Sequence, residues 1–193
     1  LYGSQSTHAG APRHGDMGRA TRCCANRFAD RHPSALGGVT VTRIYLVRHG
    51  EAEGNLYRRM QGQYNSSLTE LGYQQVEAVG QRFRDIHLDA VYSSDLYRAM
   101  YTASALCLPK GLPLHTDVRL REVNVGPWEE MPFGTAWRCY PEEMANFTYH
   151  PDAWRLNGAE TFRQVGERCC DALREIVREH PQKTVAVCGH GYL

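Results

Sequence analysis

The stretch RIYLVRHGEAEGN, Arg43 to Asn55, runs an apolar segment straight into a cation, an imidazole and a glycine. The β-branched run Val41 to Val47 suits a buried strand of a parallel sheet. Ligands of open parallel sheets collect outside the carboxyl ends of their strands, where this one stops on Arg48-His49-Gly50-Glu51. The stretch TVAVCGHGYL, from Thr184 onward, repeats the pattern with an apolar strand, Thr184 to Cys188, and then Gly189-His190-Gly191.

Between these strands the punctuation alternates. Ser67-Leu68-Thr69-Glu70 reads as a capping box, followed by Leu71, Val76, Val79, Phe83 and Ile86 at helical spacing. Ala90-Val91-Tyr92 reads as a second strand. Ser93-Ser94-Asp95 after it offers N-cap side chains to a helix starting near Leu96, with Met100, Ala103 and Leu106 on one face. A short strand is expected around Leu114. Thr135 to Phe147 is weakly helical and interrupted at Pro141. Thr161 caps a long helix whose Phe162, Val165, Cys169, Ala172, Leu173 and Ile176 turn inward. Strand–helix alternation of this kind predicts an α/β fold with a mainly parallel sheet.

Composition narrows the function. The 193 residues carry a formal net charge of +1, with no basic stripe to hold a polyanion, so no nucleic-acid partner is expected. No apolar run approaches the roughly 20 residues that span a bilayer, so no membrane partner is expected either. The seven cysteines form no Cys-x-x-Cys, which argues for reduced thiols in a cytoplasmic protein over a disulfide framework or zinc site. Cys188, inside an apolar run, reads as a small core residue. His8, His14, His32, His87, His115, His150 and His180 show no metal-ligand spacing. Residues 1–40 lack apolar periodicity. They read as a disordered extension, or as translated upstream sequence before a natural start at Val41, leaving 41–193 as the folded domain.

Three polar groups therefore fall just past strand ends: Arg48-His49-Gly50-Glu51, Ser93-Ser94-Asp95 with Arg98 one turn on, and Gly189-His190-Gly191. Two histidines and two arginines on one rim suit a tetrahedral dianion, since guanidinium forks pair with phosphate oxygens and glycines let backbone amides approach. Arg98 in a first helical turn opposes the helix dipole, a conflict that a bound phosphate would resolve.

On these residues the chain resembles the histidine phosphatase superfamily, the phosphoglycerate mutase-like family. The matching blocks run in order: Leu46 to Glu51, Asn55, Gln61-Gly62, Leu68-Thr69 with Gly72, and Ser93 to Leu96 with Arg98-Ala99 and Thr102-Ala103. Leu120-Arg121-Glu122 follows with Gly126 and Trp128-Glu129, then Gly189-His190-Gly191. The resemblance implies a three-layer α/β/α fold. It implies His49 as the nucleophile that forms a phosphohistidine, and Arg48, Arg98 and His190 as the clamp on the phosphoryl oxygens. Asn55, Gln61, Gly62 and Gly191 would join the substrate site. Glu122 would protonate the leaving alcohol and then activate water. A neutral imidazole is a competent nucleophile near pH 7, and fixed cations stabilise the charge on the equatorial oxygens with neither metal nor other cofactor.

The activity expected is hydrolysis of a small phosphorylated substrate. The pattern Glu122-x-x-x-Gly126-x-Trp128-Glu129 and the short region around it look more like broad-specificity and α-ribazole-phosphate-type phosphatases. The alternatives are phosphoglycerate mutase-type transfer, a non-catalytic phosphate-binding module, and a metallohydrolase using His49, His190 and Glu51. Arg58, Arg59 and Arg121 either contact substrate or form charged surface, and charged surface is the reading preferred. Trp128, Trp137, Tyr140, Phe147, Tyr149 and Trp154 either line a lid over the phosphate site or fill a core under a long loop.

Three departures from the family pattern stand out. Gln63-Tyr64-Asn65-Ser66-Ser67 stands where Asp and Pro are usual, and Gly158-Ala159-Glu160-Thr161 where Gly-Glu-Ser is usual. The chain also ends three residues past His190, where the family continues. A fragment truncated at its C-terminus is expected, poorly soluble or inactive until the tail is restored.

Overall fold

The computed structural model describes residues 41–192. The expectations for residues 1–40 lie outside the described residues. In chain order the elements are β1 (Arg43–Arg48), α1 (Glu53–Leu56), α2 (Glu70–Arg82), β2 (Ala90–Ser93), α3 (Tyr97–Cys107), β3 (Leu114–Thr116), α4 (Phe133–Cys139), α5 (Pro141–Tyr149), α6 (Phe162–Glu179) and β4 (Thr184–Gly189). The four strands form one parallel sheet in the order β1-β4-β2-β3.

Register explains where a site can form. Arg48 lies opposite Gly189, and Ser93 opposite Cys188, so β1, β4 and β2 run out at the same level. The ladder goes one bond further on each side: His49 N–H donates to the Gly189 carbonyl at 3.1 Å and Ser94 N–H to the Cys188 carbonyl at 3.2 Å.

Side chains alternate across β4, as period-two geometry requires. Val185 and Val187 pack with Ala172 and Ile176 of α6, while Ala186 and Cys188 pack with Ala103 and Leu106 of α3 and Phe83 beyond α2. Helices thus cover both faces, giving the expected three layers. A further core, built on Trp128, Met144, Phe147 and Trp154, sits between α4, α5 and the start of α6. Cys188 is fully buried, as its apolar setting predicted, and burial pushes its thiol up to about 12.

Four local expectations need correction. β1 is the outer strand of the described sheet and pairs on one side only, so Leu46 is 66% exposed where a buried strand was expected. The α2 cap is Thr69, not Ser67: its hydroxyl accepts from Gly72 N–H at 3.0 Å, while its own N–H donates to the Glu51 carbonyl. Leu71 of that helix is 49% exposed and lies outside the core. The N-cap of α3 is Leu96, with no side-chain bond of its own. Ser94 and Asp95 serve other partners, and Asn65 from a distant loop accepts the Tyr97 N–H at 2.7 Å instead. The α6 cap is as expected: Thr161 accepts from Gln164 N–H, and the Gln164 side chain returns to the Thr161 N–H at 2.8 Å. Pro141 divides the weak helical region by opening α5.

Candidate active site

The site grows from the three strand ends. β1 delivers Arg48 and His49, β4 delivers His190, and the turn after β2 delivers Ser94 and, through α3, Arg98. Two close approaches fix this floor. A Cβ on Gly50 would lie 2.6 Å from the Gly72 carbonyl oxygen, and one on Gly72 would lie 2.0 Å from the Glu51 carbonyl oxygen, so only glycines let α2 meet the loop behind His49. Thr102 of α3 ties the same loop down: its hydroxyl accepts from Gly50 N–H at 3.1 Å and donates to the Arg98 carbonyl at 2.8 Å.

His49 is buried, and its Nδ1 lies 2.6 Å from the Gly50 carbonyl oxygen. A carbonyl only accepts, so Nδ1 carries the proton and Nε2 keeps its lone pair. Burial, helped by the nearby charges of Arg98 and Arg48, lowers the pKa of His49 to about 4 against the opposing Gly50 bond. The ring is neutral at pH 7. His190 packs beside it, ring centroids 5.2 Å apart. Its Nε2 lies 2.7 Å from Ser94 Oγ, which itself accepts from Leu96 N–H. With the hydroxyl proton given to Nε2, the ring proton stands on Nδ1, a buried atom with no hydrogen-bond partner among the described residues. Burial, then the charges of Arg98 and His49, depress His190 to about 2.

Arg98 is 0% exposed. Its Nη2 donates to the Gly62 carbonyl at 2.9 Å and its Nη1 to the Tyr64 carbonyl at 2.8 Å, while Nε is buried without a partner. Burial lowers its pKa to about 10, so it stays charged at neutral pH. No carboxylate pairs with it among the described residues.

A cavity of ≈330 Å³ opens over these groups, with Arg48, His49, Arg98 and Glu122 in its wall. Asn55, Gln61 and Gly62 line it as well. Asn55 Oδ1 accepts from Ala52 N–H and Gln61 Oε1 from Ser66 Oγ, so each amide nitrogen is left for another acceptor. Gly191 does not present a free amide. Its N–H donates to Glu122 Oε2 at 3.0 Å, and Tyr192 N–H donates to Oε1 at 3.2 Å. Glu51 does not join the two imidazoles as the metallohydrolase alternative requires, because its carboxylate accepts from Thr69 Oγ1 at 2.8 Å.

Other expectations divide. Arg58 and Arg59 reach the cavity rim, whereas Arg121 is engaged by the Asp95 carboxylate, with Nε to Oδ1 at 2.6 Å. Arg58 holds a left-handed backbone, φ 52°, rare for a residue with a side chain. Among the aromatics, Trp128 and Trp154 are core, Tyr149 is exposed, and Phe147 belongs to both core and cavity wall, beside Phe133 and Tyr192.

Sequence reasoning missed Arg168. It sits three residues after Val165 and one before Cys169, inside the inward stripe of α6, and a cation in that stripe was the available signal. Its guanidinium reaches the carbonyls of Arg119 and Arg121 at 2.7 Å each and that of Glu122 at 2.9 Å.

The doubly covered parallel sheet, with its cavity at the strand ends, defines the class: an α/β protein of the phosphoglycerate mutase-like fold. Within that class the chain belongs to the histidine phosphatase superfamily (branch 1), whose pattern matches residues 44–193. A probable phosphoglycerate mutase GpmB of Yersinia pestis (strain Pestoides F) is 39% identical over 137 residues, which is 68% of this chain and 61% of that protein. The chain thus spans less than two thirds of that relative's length. The solved structure of Bacillus stearothermophilus YhfR is similar, with a TM-score of 0.77 and 35% identity, covering 79% of this chain and 75% of that one. So is mycobacterial glucosyl-3-phosphoglycerate phosphatase in complex with VO3, at a TM-score of 0.70 and 31% identity, covering 76% and 74%. Among the described residues no helix is long and apolar enough to cross a membrane.

Proposed function

We propose that this protein hydrolyses small phosphomonoesters through a phosphohistidine on His49. The observation that carries the reading is Arg98: a fully buried guanidinium with an unpartnered Nε and no carboxylate, beside an imidazole whose Nδ1 is also unpartnered. A buried cation with no carboxylate in contact, on which Glu122 and Glu129 act only from a distance, is costly, and a phosphoryl dianion at the cavity floor supplies both the charge and the acceptors. The similarity to a phosphatase structure supports the same direction.

In the first step the lone pair on His49 Nε2 attacks phosphorus, the ester P–O bond breaks, and Glu122 gives its proton to the departing alcohol. Arg48, Arg98 and the free N–H of His190 hold the equatorial oxygens. In the second step Glu122 takes a proton from water, whose oxygen attacks phosphorus, and the P–N bond breaks to release phosphate and neutral His49. Arg58 and Arg59 at the rim, with Phe133, Phe147 and Tyr192 in the wall, would contact the alcohol.

A second reading is phosphoryl transfer between positions of one substrate. It shares the first step but returns the group to the substrate, and the identity to a protein named probable phosphoglycerate mutase favours it. One experiment separates the two. p-Nitrophenyl phosphate and 3-phosphoglycerate are each incubated with the protein and a chelator, following inorganic phosphate and the position of the phosphoryl group. Chelator-resistant phosphate release, with an acid-labile phosphoenzyme that His49→Ala lacks, is the expected result. Isomerised phosphoglycerate without phosphate release would replace the phosphatase reading with the mutase one.

A further inference from the structure

Glu122 sits in an irregular segment between the 3-10 turn Val118–Leu120 and that at Gly126–Trp128, so no helix or strand ladder holds its backbone. Arg168 takes that role. A guanidinium has five N–H donors, and here each has an acceptor. Nε and Nη2 meet the two oxygens of Glu160 at 2.8 Å each, Nη1 meets the carbonyls of Arg119 and Arg121, and the second Nη2 hydrogen meets the carbonyl of Glu122. Glu160 continues the clamp on the other side, accepting from Asn124 N–H at 2.8 Å and donating its own N–H to the Asn124 carbonyl at 2.9 Å. Gln63 Nε2 adds a second donor to the Glu122 carbonyl at 3.2 Å.

We propose that Arg168, braced by Glu160, is a positioning residue that sets where the Glu122 carboxyl meets the leaving oxygen. The inference rests on the reading of Glu122 as the proton donor. The backbone leading into Glu122 and its own carbonyl are tied to one rigid fork on α6 and the backbone after it to Glu160, while its carboxylate is tied to the amides after β4. Displacing the fork moves the first anchor and leaves Arg48 and His49 at the end of β1 and Arg98 on α3. Loss of Arg168 therefore penalises protonation of the alcohol more than attack on phosphorus.

That difference is measurable without reference to stability. p-Nitrophenolate leaves with little need of a proton, whereas phenolate from phenyl phosphate needs more help. The ratio of kcat/KM for the two esters reports how well the acid works, because kcat/KM covers the step in which the alcohol leaves. The ratio is measured in the intact protein and in Glu122→Gln, Arg168→Met, Arg168→Lys and Glu160→Gln, each checked for native circular dichroism. Glu122→Gln should raise the ratio, and Arg168→Met should raise it by about tenfold, a part of the roughly 10²–10⁴-fold that acid catalysis contributes. Arg168→Lys, which keeps the charge but loses the fork, and Glu160→Gln should fall between. If Arg168→Met does not fold, Arg168→Lys decides. A raised ratio in Glu122→Gln with an unchanged ratio in the folded Arg168 variants overturns the positioning role alone. An unchanged ratio in Glu122→Gln overturns the proton-donor reading and this inference with it.

Discussion

Arg98 meets two carbonyls and no carboxylate, and it lies wholly out of solvent. A charge so placed is a standing cost that an anion relieves, so the native state should gain stability when inorganic phosphate or vanadate binds. At a hundredfold excess over Kd the gain is about 2.7 kcal/mol. Thermal melts with and without phosphate should show the shift in the native protein and none in Arg98→Met; an equal shift in both would remove Arg98 from the anion site. Gly72 is another residue whose type is dictated by contact. A methyl there would lie 2.0 Å from the Glu51 carbonyl oxygen, which is backbone and cannot swing aside. Gly72→Ala should therefore cost about 1–3 kcal/mol, the usual penalty of overpacking, read as a lowered Tm.

Among the elements, α3 and α6 start in different ways. α6 carries its own capping box in Thr161 and Gln164. α3 borrows its cap from Asn65, 32 residues earlier, and so the loop that carries Gly62 and Tyr64 is bound to the helix that carries Arg98. Asn65→Ala and Thr161→Ala should each lower stability by about 1 kcal/mol, visible as a reduced urea midpoint at constant slope. Only Asn65→Ala should also weaken phosphate binding, because it loosens the carbonyls that aim Arg98. Equal phosphate affinity in the two variants would count against that coupling.

For the molecule as a whole, two buried imidazoles make stability depend on pH. In the unfolded chain both titrate near the ordinary histidine value of about 6.5. In the fold His49 is held to about 4 and His190 to about 2. Below about 6.5 the unfolded chain binds protons that the folded chain refuses. The contribution is complete above that pH and is lost as pH falls through the folded values. Each group adds at most about 1.4 kcal/mol per pH unit in this window. Melts between pH 7 and 4.5 should fall less steeply in His49→Ala and His190→Ala than in the native protein. Parallel curves would mean that the imidazoles are not protected from protons as their burial requires.

Local pattern alone determined the α/β class, the parallel strands, the α6 cap and the identity of the strand-end residues. The physical reason is that apolar runs, helical spacing and stops on Arg, His and Gly are written within a few positions of each other. The RHGE stretch stops on a cation and an imidazole because the adjacent strand ends complete the site. Only tertiary structure decided that β1 is the outer strand of the described sheet, that Thr69 caps α2 while its N–H reaches the Glu51 carbonyl, and that α3 is capped from Asn65, since each depends on groups brought from a distant segment. The same holds for Arg168. Besides Glu160, its partners are backbone carbonyls some 46 to 49 positions away, and carbonyls are present at every residue, so no side-chain pattern marks the ones it will find.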